Sequence, residues 1–155
     1  MITVQIPNVK EFMQKLLLTP TFDDWGFQGA DVYALTQYSI SGTLNGKYLT
    51  EEERSSRERT EIKYKEIRSI LTSIVRGGRT PSQMKIVLVC PSSLLGDHVS
   101  AFAESYLMNI YFKEGVLMAA GAISMKTFTM DRSDAVFWDN HFPKVLTQLG
   151  IEHKA

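Results

Sequence analysis

The sequence has little cysteine, no net charge and no long hydrophobic run. Cys90 is the only cysteine, which excludes an internal disulfide and a CxxC redox or zinc motif and indicates a reducing compartment. The 17 basic and 17 acidic residues cancel, so attraction to nucleic acid needs a local basic patch. No stretch approaches the roughly 18 apolar residues of a membrane span, and no basic region precedes an apolar stretch at the N-terminus. We therefore expect a cytoplasmic protein that makes no membrane contact.

The signature motifs of common enzymes are also absent. The chain contains no HExxH, GxSxG, GxxxxGKS/T or GxGxxG pattern, so we predict no catalytic residue, metal ligand or cofactor. This favours a binding or regulatory domain, whose partner is another protein or a second copy, over an enzyme. A small-molecule enzyme stays the alternative, because catalytic groups that meet only in three dimensions leave no signal in sequence spacing.

Hydrophobic periodicity predicts the first elements. Residues 2–6 alternate apolar and polar side chains, as a strand does, and Asn8 is placed to cap a helix over 9–18. Asn45-Gly46 is the dipeptide that best tolerates the positive φ angles of a type I′ turn. We therefore expect a hairpin around 45–46.

A long helix is predicted to follow. Thr50 and Glu53 form a capping-box pattern at its start, and Gly77-Gly78 supply a left-handed stop at its end. Its first part, through Arg59, has no apolar face and should project into solvent or fray, whereas the second part carries a strong apolar stripe.

The second half of the chain is predicted to form a strand, a meander and a helix. Residues 85–90 form a continuous apolar run typical of a strand buried on both faces. Glu114-Gly115 marks a second hairpin, and 125–130 suits a third strand of the same meander. Ser133 then caps a last helix in which Pro143 marks a break or kink.

These elements predict one α+β domain spanning residues 1–155. Strands and helices are not in strict alternation, which favours an antiparallel sheet with hairpins near 45–46 and 114–115. Three to four helices should lie mostly on one face of that sheet.

Two stretches resemble an uncharacterised family of short bacterial proteins. One is the turn from Ile74 to Pro81; the other runs from Tyr106 as YLMNIYFKEGVLMAAGAISMKTFTMD and is followed by the Trp138-Asp139 pair. The resemblance extends over most of the chain, and it implies a single domain but no activity. The order of elements is also similar to that of one domain of a DNA sliding clamp, a likeness of fold only.

A basic turn is the first candidate site. Arg76, Gly77, Gly78, Arg79 and Lys85 combine exposed amides with cations, which suits an anion or a nucleic-acid contact. The alternative is a helix stop complemented by arginines, because the C-terminus of a helix carries a partial negative charge. The mixed charges of 51–68 allow weak nucleic-acid contact or, alternatively, a solvated helix with ion pairs.

An aromatic loop is the second candidate. Phe22, Trp25 and Phe27 either hold the loop to the core or form an exposed apolar patch that binds a partner. Asp23 and Asp24 between them are adjacent, and adjacent side chains of an extended chain point to opposite sides. Capping of the loop is therefore expected of them rather than acid-base chemistry.

We expect the remaining reactive side chains to have structural roles. Cys90 is expected to be a packed core thiol, since no motif ties His98 to it as a base. Asp131 and Asp134 are expected at a helix N-terminus, where acidic groups are favourable. Asp139 and His141 lie two residues apart on that helix and should diverge, which disfavours a metal site. His153 falls in a tail expected to be disordered.

Overall fold

The fold is built on one antiparallel sheet with helices on one side of it. The structure is a computed structural model that describes residues 1–57 and 61–155. The predicted helical positions 58–60, Arg59 among them, lie outside the described residues. In chain order the elements are β1 (Ile2–Gln5), α1 (Val9–Leu18), β2 (Gly26–Tyr33), β3 (Gln37–Ser41), α2 (Glu51–Ser56), β4 (Ile62–Lys63), α3 (Tyr64–Val75), β5 (Gln83–Val89), β6 (Ala103–Lys113), β7 (Val116–Met125) and α4 (Ser133–Gln148).

The strands pair in the order β1-β7-β6-β5-β2-β3, and β4 adds a short pairing to β2. Every pairing is antiparallel, so the predicted α+β class with an antiparallel sheet is confirmed. The predicted first helix is confirmed too, with the Asn8 side chain accepting a hydrogen bond from the amide of Glu11 at 3.1 Å.

One predicted hairpin is confirmed and the other is wrong. Glu114 and Gly115 join β6 to β7 with φ angles of 53° and 79°, the positive values that a two-residue hairpin turn requires. The hairpin predicted at 45–46 lies instead between β2 and β3, at residues 34–36. Asn45 accepts a hydrogen bond from the amide of Lys47 at 3.3 Å and caps a short 3₁₀ turn. The dipeptide therefore serves as a cap, since no paired strands flank it.

The predicted long helix is wrong, because the segment forms two helices with a strand between them. The capping box is present: the Glu53 amide donates to the Thr50 hydroxyl at 3.1 Å, and the Thr50 amide donates to the Glu53 carboxylate at 2.8 Å. The helix it starts is α2, which has no buried residue. The strand β4 then pairs with Gly26 and Phe27 and so interrupts the helical pattern. At the end of α3, neither Gly77 nor Gly78 is left-handed.

The last third of the chain differs from its prediction at two points. The strand predicted at 125–130 is wrong, since β7 runs unbroken to Met125 and residues 126–132 form an irregular loop. Of the two alternatives predicted at Pro143, a break or a kink, the break is wrong, because α4 continues through this residue. Gly150, with φ of 75°, follows the helix.

Burial alternates along the strands and separates two faces of the sheet. Met84, Ile86 and Leu88 of β5 are buried, whereas Lys85 is exposed and Val87 is half-buried. The prediction that this strand is buried on both faces is therefore wrong for the single chain. The helices α1, α3 and α4 lie on the buried face, which confirms that the helices gather mostly on one side. Among the described residues, no helix combines the length and the apolarity needed to cross a membrane.

Candidate functional site

The basic turn borders a surface groove of about 650 Å³. Helix α3 ends at Val75, and the exposed residues 76–80 lead to β5. Opposite this turn lies α1, so the groove runs between α1 and the turn and reaches down to the sheet. Its floor is apolar and is formed by Val9, Met13, Leu17, Pro81, Met84 and Phe112.

The rim of this groove carries positive charge. Lys10 of α1 stands on one side, and Arg76 and Arg79 stand on the other. All three side chains are exposed, and none forms a hydrogen bond or an ion pair with another described residue. No acidic residue lines the groove within the described chain. The site therefore combines an apolar floor with cations that are available to an anion.

Lys85 does not join this group, which corrects the predicted cluster. Side chains alternate along a strand, and Met84 and Ile86 point into the core. Lys85 therefore points to the opposite face, where its register partners are Asp31 and Tyr111. The other four predicted residues, 76–79, lie on the side of the sheet that carries the helices.

The predicted partner-binding loop is not at the surface. Phe22, Trp25 and Phe27 are 0%, 1% and 1% exposed, so their rings hold the loop to the core and do not form a patch. Asp23, between these rings, is structural as well, because it forms an ion pair with Arg68 at 3.0 Å. A partner therefore has no access to these rings in the folded chain.

Among the described residues of 51–68, most of the basic side chains are engaged by the protein itself. Arg57 forms an ion pair with Glu66 at 2.8 Å, and its hydrogen bonds hold the pKa of that carboxyl below the usual range. Arg54 donates to the carbonyl of Gly46 at 2.9 Å. Both arginines line a second groove of about 750 Å³ beside α2. These bonds favour the predicted alternative, a solvated segment with ion pairs, over a surface that binds the phosphates of a nucleic acid.

Cys90 is a core thiol, as predicted. It is 5% exposed, and burial raises its pKa to about 12. Its sulfur contacts the carbonyl of Pro91 at 3.6 Å, whereas His98 is bonded to Asp134. A thiol in this state is a poor nucleophile, because the thiolate is the reactive form.

A polar cluster that the sequence did not predict surrounds Asp134. This carboxylate is 4% exposed and accepts hydrogen bonds from Ser100 at 2.6 Å, from Tyr106 at 3.1 Å and from Nε2 of His98 at 2.9 Å. Burial acts to raise the pKa of Asp134, but these bonds outweigh it and keep the pKa below its usual value. Asp134 lies in the first turn of α4, where the sequence predicts it, but it is buried and bonded to other side chains instead of being solvated.

The other acidic and imidazole side chains near α4 have separate partners. Asp131 accepts a hydrogen bond from the amide of Ser133 at 2.8 Å. The predicted cap at Ser133 is wrong, because α4 begins at this residue and its N-cap residue is Arg132, which makes no side-chain capping bond. Asp139 approaches the N-terminal amine at 3.6 Å, while His141 bonds to the carbonyl of Leu94 at 2.6 Å. The two side chains diverge, and the described residues contain no group of three metal-ligating side chains.

The Asp134 cluster contains serine, histidine and aspartate but is not arranged for nucleophilic catalysis. The hydroxyl of Ser100 donates to Asp134 and accepts hydrogen bonds from the amides of Phe102 and Ala103. His98 also bonds to the carboxylate and not to the serine, so no base takes the serine proton. The ring of His98 stacks on Phe137 with centroids 3.7 Å apart. The cluster therefore anchors the loop before β6 to the first turn of α4.

A comparison with protein families gives a match over most of the chain. A family of unknown function (DUF5721) matches residues 15–154.

The chain belongs to this family.

The match takes in the groove residues from Leu17 to Phe112 and the whole Asp134 cluster, and it confirms the resemblance to an uncharacterised family. No curated protein and no solved structure matches the chain. The likeness to a sliding-clamp domain accordingly stays a prediction.

Proposed function

We propose that this protein is a cytoplasmic, non-enzymatic binding domain that holds an acidic, amphipathic segment of a partner protein in the groove between α1 and the turn after α3. The observation that carries the proposal is the pairing of an apolar floor with Lys10, Arg76 and Arg79 at the rim. Grooves of this kind take amphipathic helices, which place their apolar side chains on the floor. The cytoplasmic setting rests on the single, buried cysteine.

The apolar floor and the positive charges of the groove determine which segment it can bind. Burying one leucine-sized side chain contributes about 1.5–3 kcal/mol, so two or three anchors supply useful affinity even after the cost of ordering the segment. The exposed arginines attract carboxylates and disfavour a basic segment, because like charges oppose each other across an interface. Leu18 at the rim is 50% exposed and extends the apolar surface.

A pair of designed helical peptides tests this proposal. The first carries leucines at i, i+3, i+4 and i+7 with glutamates on the flanks, and the second replaces every glutamate by lysine. We expect the acidic peptide to shift the NMR amide signals of Met13, Arg76 and Phe112, and calorimetric titration should give a weaker affinity for the basic peptide. Equal binding of both peptides, or no shift in the groove, contradicts the proposal.

Matched arginine substitutions locate the site. Arg79→Glu should weaken binding of the acidic peptide roughly tenfold or more, since it replaces an attraction by a repulsion. Arg132→Glu, an equally exposed position before α4, should leave the affinity unchanged. Labelled single-stranded and duplex DNA serve as competing ligands. Salt-dependent DNA binding that Arg79→Ala weakens, with no peptide binding, would favour a nucleic-acid function instead.

A further inference from the structure

The two edges of the sheet differ in how they end. At the β1 edge, the amide of Gln5 donates to the carbonyl of Lys154 at 2.7 Å, and the amide of Lys154 donates to the carbonyl of Gln5 at 3.0 Å. The other edge is β3, and no described residue pairs with the outer side of this strand. The chain therefore closes part of one edge with its own C-terminal segment and leaves the β3 edge open.

The register with β2 shows which main-chain groups of β3 are free. In an antiparallel pair, residues that bond to the neighbouring strand alternate with residues whose N–H and C=O point away from it. At the two ends of this ladder, the Gly42 amide donates to the Gln28 carbonyl at 3.0 Å, and the Ala34 amide donates to the Thr36 carbonyl at 3.1 Å. The even-numbered residues of β3 therefore bond to β2. The N–H and C=O groups that point outward are those of Gln37, Ser39 and Ser41.

The β3 edge has none of the features that usually prevent strand pairing. Proteins protect exposed edges with charged side chains, prolines or bulges. The sequence of β3, QYSIS, contains no charged residue and no proline, and its pairing with β2 is regular. Four of its five residues are exposed. An edge of this kind is a template for another extended chain.

We propose that this edge binds an extended segment of a partner protein, which adds to the sheet as a further strand beside β3. The free groups of β3 repeat every second residue, about 6.7 Å apart, and the backbone of an extended chain offers donors and acceptors at the same spacing. A helix does not, because its main-chain groups bond to one another. Strand addition of this type is an established mode of peptide recognition.

The side chains of β3 determine the sequence pattern of the segment. Tyr38 and Ile40 are the register partners of Val32 and Ala30, which are buried, so both lie on the helix side of the sheet. Tyr38 is 41% exposed and Ile40 is half-buried, and apolar side chains of an added strand would cover them. The other face of β3 carries only glutamine and serine. The segment should therefore alternate apolar and polar residues.

This site is independent of the groove between α1 and the turn after α3. The groove fits a helix with apolar residues at helical spacing, whereas the β3 edge fits a segment with a period of two residues. Binding in the groove uses exposed cations and should weaken with salt. Binding at β3 uses main-chain groups of an uncharged strand and should depend little on salt.

A cyclic hairpin peptide whose free edge alternates valine and threonine tests the proposal. Cyclisation holds the peptide in the extended conformation and so lowers the cost of ordering it. We expect it to shift the NMR amide signals of Gln37, Ser39 and Ser41 and to slow their hydrogen exchange. The same peptide with N-methyl groups on the outward amides of that edge should bind tenfold more weakly or worse, because it lacks the donors.

Two substitutions at Ser39 separate the main chain from the side chain. Ser39→Pro removes an outward N–H that β2 does not use, a position where an edge strand tolerates proline. It should weaken binding of the hairpin peptide roughly tenfold or more, with an unchanged circular dichroism spectrum. Ser39→Ala removes only the hydroxyl, which donates to Asp31 at 2.7 Å, and should leave the affinity unchanged.

Several results would overturn the proposal. These are the absence of shifts in β3, equal binding of the N-methylated peptide, and equal binding by folded Ser39→Pro. Shifts of the same amides that depend on protein concentration without any peptide would place a second copy at the edge instead. If Ser39→Pro does not fold, the N-methylated peptide makes the same test on the natural chain. Arg79→Glu should not change binding of the hairpin peptide, so this proposal and the groove proposal fail separately.

Discussion

The hydroxyl of Tyr64 donates a hydrogen bond of 2.9 Å to the main-chain carbonyl of Leu16. Within α1 that carbonyl would pair with the amide four residues on, but this position is Pro20, which has no N–H. The next carbonyl, that of Leu17, accepts a bond of 3.2 Å from the hydroxyl of Thr72. Side chains of α3 therefore complete the C-terminus of α1.

Tyr64→Phe should destabilise the protein by about 1–3 kcal/mol, since it leaves a buried carbonyl without a donor. Urea unfolding followed by circular dichroism measures the difference. Tyr48→Phe removes the hydroxyl from a side chain that is 86% exposed and should change nothing. Equal stability of both variants would show that the carbonyl of Leu16 finds another donor.

Gly121→Ala should also destabilise the fold, by about 1–3 kcal/mol. A Cβ at this position of β7 would lie 3.0 Å from Nε1 of Trp138 and 3.1 Å from the ring of Phe142, so α4 must move away. Gly78→Ala is the matched control, because nothing lies within 4 Å of a Cβ there. Differential scanning calorimetry should show a lower midpoint for the first variant only.

The pH dependence of stability should report on Asp134. Its pKa is lowered in the folded state, so its carboxylate stabilises the fold above the unfolded value of about 3.9 and loses that effect as pH falls through the folded pKa. Asp134→Asn should cost about 1–3 kcal/mol at neutral pH, because the amide replaces the oxygen that accepts from Ser100 by an NH2 group and leaves this donor without an acceptor.

Unfolding measured between neutral pH and pH 3 checks this expectation. The natural chain should lose stability steeply below about pH 4, and the slope should flatten in Asp134→Asn. Asp97→Asn, at an exposed position, should keep the natural slope. An unchanged slope in Asp134→Asn would mean that other carboxylates dominate the acid response.

Cys90 should resist thiol reagents in the folded protein. Its pKa of about 12 leaves very little thiolate at pH 8, and its side chain is buried. Ellman's reagent should therefore react with one thiol per chain only after denaturant is added. Fast, stoichiometric labelling of the native protein would contradict the buried position of the sulfur.

Sequence patterns predicted the elements whose signals are local. Asn8 and the apolar spacing of 9–18 predict α1, and the Glu114-Gly115 pair predicts the turn between β6 and β7. The Asn45-Gly46 prediction was wrong because turn propensity does not reveal whether paired strands flank the turn. Ile62 and Lys63 likewise continue a helical pattern, and only their pairing with β2 makes them a strand.

The candidate sites depended on contacts that lie far apart in the chain. Asp134 reaches Tyr106 across 28 residues and His98 across 36, so no spacing rule connects them. The groove lies between α1 and a turn more than fifty residues later. Only its basic turn, with Arg76 and Arg79, could be predicted from the sequence. Lys85 does not belong to the groove, because side chains alternate along β5 and Met84 and Ile86 on either side of it point to the helices.

The two tryptophans lie in opposite halves of the helical layer, so their fluorescence can report on the opening of each half. Trp25 meets Phe22 edge-on with centroids 5.4 Å apart, near α1 and α3, whereas Trp138 of α4 donates its indole N–H to the carbonyl of Leu107 at 3.1 Å. Each ring is almost fully shielded from water, so its fluorescence should shift to the red when its own half opens. Replacing one or the other by phenylalanine would separate the two signals and show whether the halves open together or in sequence.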